Sequence, residues 1–154
     1  MAVVLVVEDD SDLLGVLAEA LAEEGWSVFS SASAAGAIER ARSLNMGVDV
    51  VLCDLLLASG EDGVALEAAF RADSALQGVP FVFMTGSSKV GAPPESRARV
   101  LFKPFDVEQA VAALESCLPT PRPTTRRPPR RVAPDRPPQE VEIKSVEGRI
   151  ARRR

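Results

Sequence analysis

The sequence predicts an α/β domain, a parallel sheet covered by helices on both faces. Three observations carry that expectation. The runs Val3-Val4-Leu5-Val6-Val7, Val50-Val51-Leu52-Cys53 and Phe81-Val82-Phe83-Met84 are continuously apolar rather than alternating, as strands buried on both faces are. Segments with apolar residues at helical spacing separate them, and that alternation implies a parallel sheet. The strand runs also end in a carboxylate, a hydroxyl or an ammonium residue. In open α/β sheets, ligands gather at the carboxyl edge where those residues would lie.

The run at 3–7 is the first strand. After it, Leu13, Leu14, Leu17, Ala20 and Leu21 recur at helical spacing, Asp10 or Ser11 can cap the helix, and Gly25 stops it. Residues 26–30 alternate and read as a second strand carrying Trp26. Ser33 can cap a second helix that runs to about residue 44. The third strand spans 48–54, with Asp49 at its mouth and Asp54 where it runs out. Residues 55–62 read as a loop, and 63–73 as a third helix turning Val64, Leu66, Ala69 and Phe70 partly inward. A fourth strand at 80–84 ends in Thr85-Gly86. Gly91, Pro93 and Pro94 argue against a long helix over 89–98. Val100-Leu101-Phe102 is a short fifth strand ending in Lys103-Pro104. Asp106 with Gln109 forms a capping box for a last helix over 107–118. Right-handed crossovers place every strand's C-terminal end on one edge.

At 154 residues the chain suggests one domain with an extension. No apolar run is long enough to span a membrane, and no basic n-region precedes the first strand, so a cytoplasmic protein is expected. Cys53 and Cys117 have no metal or redox spacing and read as small apolar residues in a reducing compartment. The sequence has no histidine, which excludes a histidine ligand, nucleophile or phosphohistidine donor within it. The net charge of −4 hides a split. Residues 1–118 hold 7 basic and 18 acidic side chains, a balance of −11, and residues 119–154 hold 11 and 4, a balance of +7. A boundary near Pro119 follows, with a domain over 1–118 and a Pro/Arg-rich basic tail over 119–154 expected to be extended or disordered.

Glu8-Asp9, Asp54, Thr85 and Lys103 come together at the ends of strands one, three, four and five. Taken singly, an acidic pair after a strand is usually a helix cap and first-turn acid, and an Asp or Thr there is usually a turn residue. Together they describe chemistry. Crowded carboxylates require a cation, and hard oxygen ligands with open positions suit Mg2+. A hydroxyl and an ammonium opposite them can receive a phosphoryl group, whose transfer asks mainly for positioning and charge neutralisation. Asp54 is then the nucleophile, forming an acyl phosphate, with Thr85 on one phosphoryl oxygen and Lys103 on another or, before transfer, on Asp54.

Val6-Val7-Glu8-Asp9-Asp10, Asp54-Leu55, Met84-Thr85-Gly86 and Lys103-Pro104-Phe105 resemble the motifs of the receiver domain of bacterial two-component response regulators, over about residues 2–118. The resemblance implies a flavodoxin-like three-layer α/β/α fold with strand order 2-1-3-4-5. It implies phosphorylation of Asp54 from a phosphohistidine on a sensor histidine kinase or phosphotransfer protein, self-catalysed with Mg2+, in a signalling domain rather than an enzyme. It also implies a metal held by Asp9, Asp54 and the main-chain carbonyl of Leu56, with Glu8 acting largely through water, and a cis bond between Lys103 and Pro104.

This chain departs from the family pattern at several places. Ala58 replaces a usual proline, the loop to Gly63 looks one residue longer, and Val100 stands where an aromatic switch residue is common. The segment between Thr85 and Lys103 is short, so the family's fourth helix is expected to be reduced or absent. The 36 residues after 118 are too few and too rich in Pro and Arg for a winged helix, so the expected output is contact with a downstream protein. The alternative is a phosphorylation-independent receiver-like scaffold whose tail binds nucleic acid or an acidic surface. The tail lacks an aromatic residue, which disfavours sequence-selective RNA binding by stacking. A phosphatase with an Asp nucleophile on a related sheet would want a second Asp at position 56, where Leu56 stands.

Overall fold

A computed structural model of the chain describes residues 2–45, 47–57, 60–86, 96 and 98–118. The expectations for the tail, for Ala58 and for most of 89–98 lie outside the described residues. Five strands, β1 (Val3–Val7), β2 (Ser27–Ser31), β3 (Val50–Asp54), β4 (Phe81–Thr85) and β5 (Arg99–Phe102), pair in parallel in the order β2-β1-β3-β4-β5. Four helices accompany them among the described residues: α1 (Ser11–Glu23), α2 (Ala34–Ser43), α3 (Gly63–Ala72) and α4 (Val107–Ser116).

The continuous apolar runs become intelligible once both faces of the sheet are followed. Leu5, Val7, Val51, Cys53, Phe81 and Phe83 pack with Ala37, Ala41, Leu66 and Phe70 of α2 and α3. Val4, Val6, Val50, Leu52, Val82 and Met84 pack with Leu17, Leu21, Val111 and Leu114 of α1 and α4. Successive side chains of a strand point to opposite faces, so a strand covered on both sides has no polar position to offer. Burial of a large apolar side chain is worth about 1.5–3 kcal/mol, and the two cores hold the sheet rigidly between them. Phe70 meets Phe81 edge-on at 5.1 Å between ring centroids, a geometry that aromatic pairs favour.

The helix ends follow the expected caps. Asp10 accepts from the backbone N–H groups of Asp12 and Leu13, Ser33 accepts from that of Gly36, and Asp106 with Gln109 makes the full capping box. After α1 the chain turns through Gly25 at φ +93°, and the Trp26 N–H returns to the Leu21 carbonyl, as in a Schellman turn. That turn shifts β2 by one residue from the expected 26–30. Trp26 is held by the helix end and buried in the α1/α4 core, and the ladder starts at Ser27, whose N–H reaches the Ala2 carbonyl. Asp49 sits at the mouth of β3 as expected, and its carboxylate accepts from the Val3 N–H at 2.7 Å, which sets the register of β1 against β3.

Candidate functional site

The carboxyl edge of the sheet gathers the residues that the sequence singled out. Glu8 and Asp9 follow β1, Asp54 ends β3, Thr85 ends β4, and Lys103 follows β5. Carboxylate oxygens of Glu8, Asp9 and Asp54 all lie within 4.8 Å of one another. The Lys103 ammonium donates to Asp54 Oδ2 at 2.8 Å and to Glu8 Oε2 at 3.2 Å. The Lys103–Pro104 bond is cis, and the Lys103 N–H donates to the Thr85 carbonyl at 2.7 Å, so the residue is anchored by main chain as well as by its side chain. Thr85 is buried.

Burial and the neighbouring charges shift both Glu8 and Lys103. Glu8 is only 1% exposed, and burial pushes its carboxyl up to about 7, with Asp54's charge adding and the Asp10 N–H and Lys103 opposing. For Lys103, burial works against the charged form, but the hydrogen bond and charge of Asp54, then those of Glu8, outweigh it and raise the ammonium above its usual value. The Lys103 ammonium thus bridges two of the three carboxylates, Asp54 and Glu8. Three carboxylates with oxygens this close offer hard ligands that suit a cation such as Mg2+.

Local structure explains how Asp54 is presented. Its Oδ1 accepts from the Leu56 N–H at 3.2 Å, turning the chain immediately after the strand. Leu56 exposes 62% of its surface beside this buried site. The Gly63 N–H donates to the Leu55 carbonyl at 2.9 Å, bringing the start of α3 against the end of β3. A Cβ at Gly63 would lie 2.5 Å from the Asp54 carbonyl oxygen, so that approach requires glycine. The third helix starts at Gly63 as expected, but the reason for the glycine was not legible in the sequence. Glu61 was missed as well. Its Oε2 accepts from the Ala34 N–H at 2.6 Å, across 27 residues, a contact that no local signal announces. Burial, with the charges of Asp54, Glu8 and Asp62 adding to it, drives the Cys53 thiol far above its usual range, in keeping with an inert core residue. Val100, where an aromatic residue was looked for, is partly buried against the α2/α3 core.

This fold with acids and a lysine on its carboxyl edge defines a class, and comparison with known proteins names it. A family model of the response regulator receiver domain matches residues 4–115, and the chain belongs to that family. It is 34% identical over 109 residues to a response regulator receiver protein of Anaeromyxobacter, an alignment covering 71% of this chain and 42% of that one. It is 32% identical over 120 residues to the DNA-binding transcriptional regulator NtrC of Escherichia coli, covering 75% of this chain and 24% of that protein. The chain therefore spans less than half the length of these curated relatives. Among solved structures, the response regulator TrrA of Thermotoga maritima, in complex with Mg2+ and a beryllium fluoride, shares the fold at TM-score 0.66 and 21% identity, covering 77% of this chain and all of that one. No helix among the described residues is long and apolar enough to cross a membrane.

Proposed function

We propose that residues 1–118 form a phosphoacceptor domain that takes a phosphoryl group on Asp54 from a phosphohistidine of a sensor kinase or phosphotransfer protein in the cytoplasm. The observation that carries the reading is the pairing of Asp54 with Lys103 at 2.8 Å beside the Glu8 and Asp9 carboxylates. In this reading an Asp54 oxygen attacks phosphorus, the P–O bond of an acyl phosphate forms, the P–N bond breaks, and the departing imidazole nitrogen keeps the electron pair and takes up a proton. Lys103 neutralises charge on the transferred oxygens, and Thr85 hydrogen-bonds another. Asp9, Asp54 and the Leu56 carbonyl would hold Mg2+, with Glu8 acting largely through water. The approach of the Glu8, Asp9 and Asp54 carboxylate oxygens to within 4.8 Å of one another supports that assignment. The ion would supply further charge neutralisation for the phosphoryl group.

The output in this reading is contact with a downstream protein that prefers the phosphorylated form. Residues 119–154 carry the basic balance of +7. A second reading, a scaffold that works without phosphorylation and whose tail meets nucleic acid or an acidic surface, takes its support from Val100 at the position of the usual aromatic switch. Incubation with Mg2+ and acetyl phosphate, followed by intact mass, separates the two. A phosphoryl adduct that disappears in Asp54→Asn and without Mg2+ is expected. Its absence, both with acetyl phosphate and with a phosphorylated histidine kinase, would favour the scaffold.

A further inference from the structure

Two arms run from the acidic site to one place, the first turn of α2. The first starts at Glu8. Its N–H donates to the Ser31 carbonyl at 3.1 Å, and the Ser31 hydroxyl donates to the Ser33 carbonyl at 2.8 Å. Ser33 is the N-cap of α2. The second arm starts at Asp54. Beyond the Leu56 N–H bond to Asp54, the Leu57 N–H donates to the Glu61 carbonyl and the Gly60 N–H to the Leu57 carbonyl, each at 3.0 Å. Leu56 also bridges to Asp62, and Leu57 is buried. These contacts tie Leu56 and Leu57 to Gly60, Glu61 and Asp62, and the Glu61 carboxylate accepts from the Ala34 N–H at 2.6 Å.

Ala34 is the first residue of α2. Its N–H is one of the donors a helix start leaves without an intrahelical partner, and a carboxylate there also meets the positive end of the helix dipole. The two serines close over the start of the helix: a Cβ on Gly36 would lie 2.7 Å from the Ser31 hydroxyl and 2.9 Å from that of Ser33. A packed corner of this kind transmits a displacement rather than absorbing it.

We infer that Glu61 is a latch that couples the state of the Asp54 site to the first turn of α2, so that α2 reports occupancy of the site. The inference rests on the phosphoacceptor reading above and deepens it by naming where the signal leaves. Any group that engages Asp54 and the Leu56 main chain acts on the residues that the Leu57–Glu61 and Leu56–Asp62 contacts join to α2. This route bypasses position 100, where the chain has valine. Glu61 acts through the loop and is a positioning residue.

The test is amide hydrogen exchange at Ala34 in the full chain, with and without Mg2+ and beryllofluoride, while fluorine NMR reports bound beryllofluoride. In the wild type, occupancy is expected to slow Ala34 exchange roughly fivefold or more, the low end of ordinary coupling between sites. Glu61→Ala should exchange about tenfold faster without ligand, as for loss of one charge-assisted hydrogen bond, and should respond less than twofold while still binding the probe. Glu61→Gln keeps an acceptor oxygen and should retain the response. Coupling is reciprocal, so the alanine variant should also bind beryllofluoride more weakly by about the factor it loses in response. Equal slowing in the wild type and Glu61→Ala, or bound beryllofluoride with no change at Ala34 in the wild type, would overturn the latch and leave the phosphoacceptor reading standing. Absence of any bound beryllofluoride would overturn that reading and the latch with it.

Discussion

Gly63→Ala tests whether the close approach of α3 to β3 is required. The new Cβ would sit 2.5 Å from the Asp54 carbonyl oxygen, 3.2 Å from Phe83 Cε1 and 3.3 Å from Cys53 Sγ. The first contact is with main chain of a central strand, and the second with a fully buried ring, so neither can swing aside. Overpacking of this kind destabilises by about 1–3 kcal/mol. The shift that relieves it lengthens the 2.9 Å bond from the Gly63 N–H to the Leu55 carbonyl, a further loss of about 1 kcal/mol. Alanine's better helix propensity returns about 0.5–1 kcal/mol. The net destabilisation is about 2 kcal/mol, which for a domain of this size lowers Tm by roughly 6–10 °C. Gly15→Ala is the internal control. Gly15 is an exposed residue inside α1 with nothing within 4 Å of its would-be Cβ, and it should stabilise by about 0.5–1 kcal/mol. Urea unfolding of the two variants beside the wild type measures both. Gly63→Ala within about 0.5 kcal/mol of wild type would refute the reasoning.

Three further outcomes are expected. Under native conditions one thiol, the half-buried Cys117, should react with a thiol-specific reagent, while buried Cys53 reacts only on unfolding; equal rates at both would contradict the packing around β3. Asp106→Ala removes the oxygen that accepts from the Gln109 N–H at 2.7 Å and should lower stability by about 1 kcal/mol in urea titration, with no change in cooperativity. Asp73 is held below the usual carboxyl range, first by the Ala75 N–H and then by Arg42. Its contribution is therefore present above the ordinary carboxyl value and is lost as pH falls through the lower folded value. Asp73→Asn should lose stability near neutral pH and show a shallower decline in acid than the wild type, followed by thermal melts across pH.

The fold was legible because a strand buried on both faces and an amphipathic helix each leave a strong local pattern. The apolar runs marked strands at 3–7, 48–54 and 80–84, where the structure has Val3–Val7, Val50–Asp54 and Phe81–Thr85, and side-chain chemistry marked the caps at Asp10 (or Ser11), Ser33 and Asp106. Glu8, Asp9, Asp54, Thr85 and Lys103 could be singled out because a parallel sheet with right-handed crossovers brings all its strand ends to one edge. The start of β2 was misread by one residue, because alternation in 26–30 cannot register that the Leu21 carbonyl holds Trp26.

Sequence by itself therefore determined the order of elements, the two-sided core and the set of residues at the carboxyl edge. Each of these follows from periodicity and topology, which are properties of neighbours in the chain. Tertiary structure alone decided that Lys103, beyond its expected pairing with Asp54, also reaches Glu8, that Gly63 must lack a side chain, and that Glu61 reaches Ala34. Those contacts join residues 95, 9 and 27 positions apart. They depend on distances of a few tenths of an ångström between separately formed elements, and no local pattern in the chain encodes such distances.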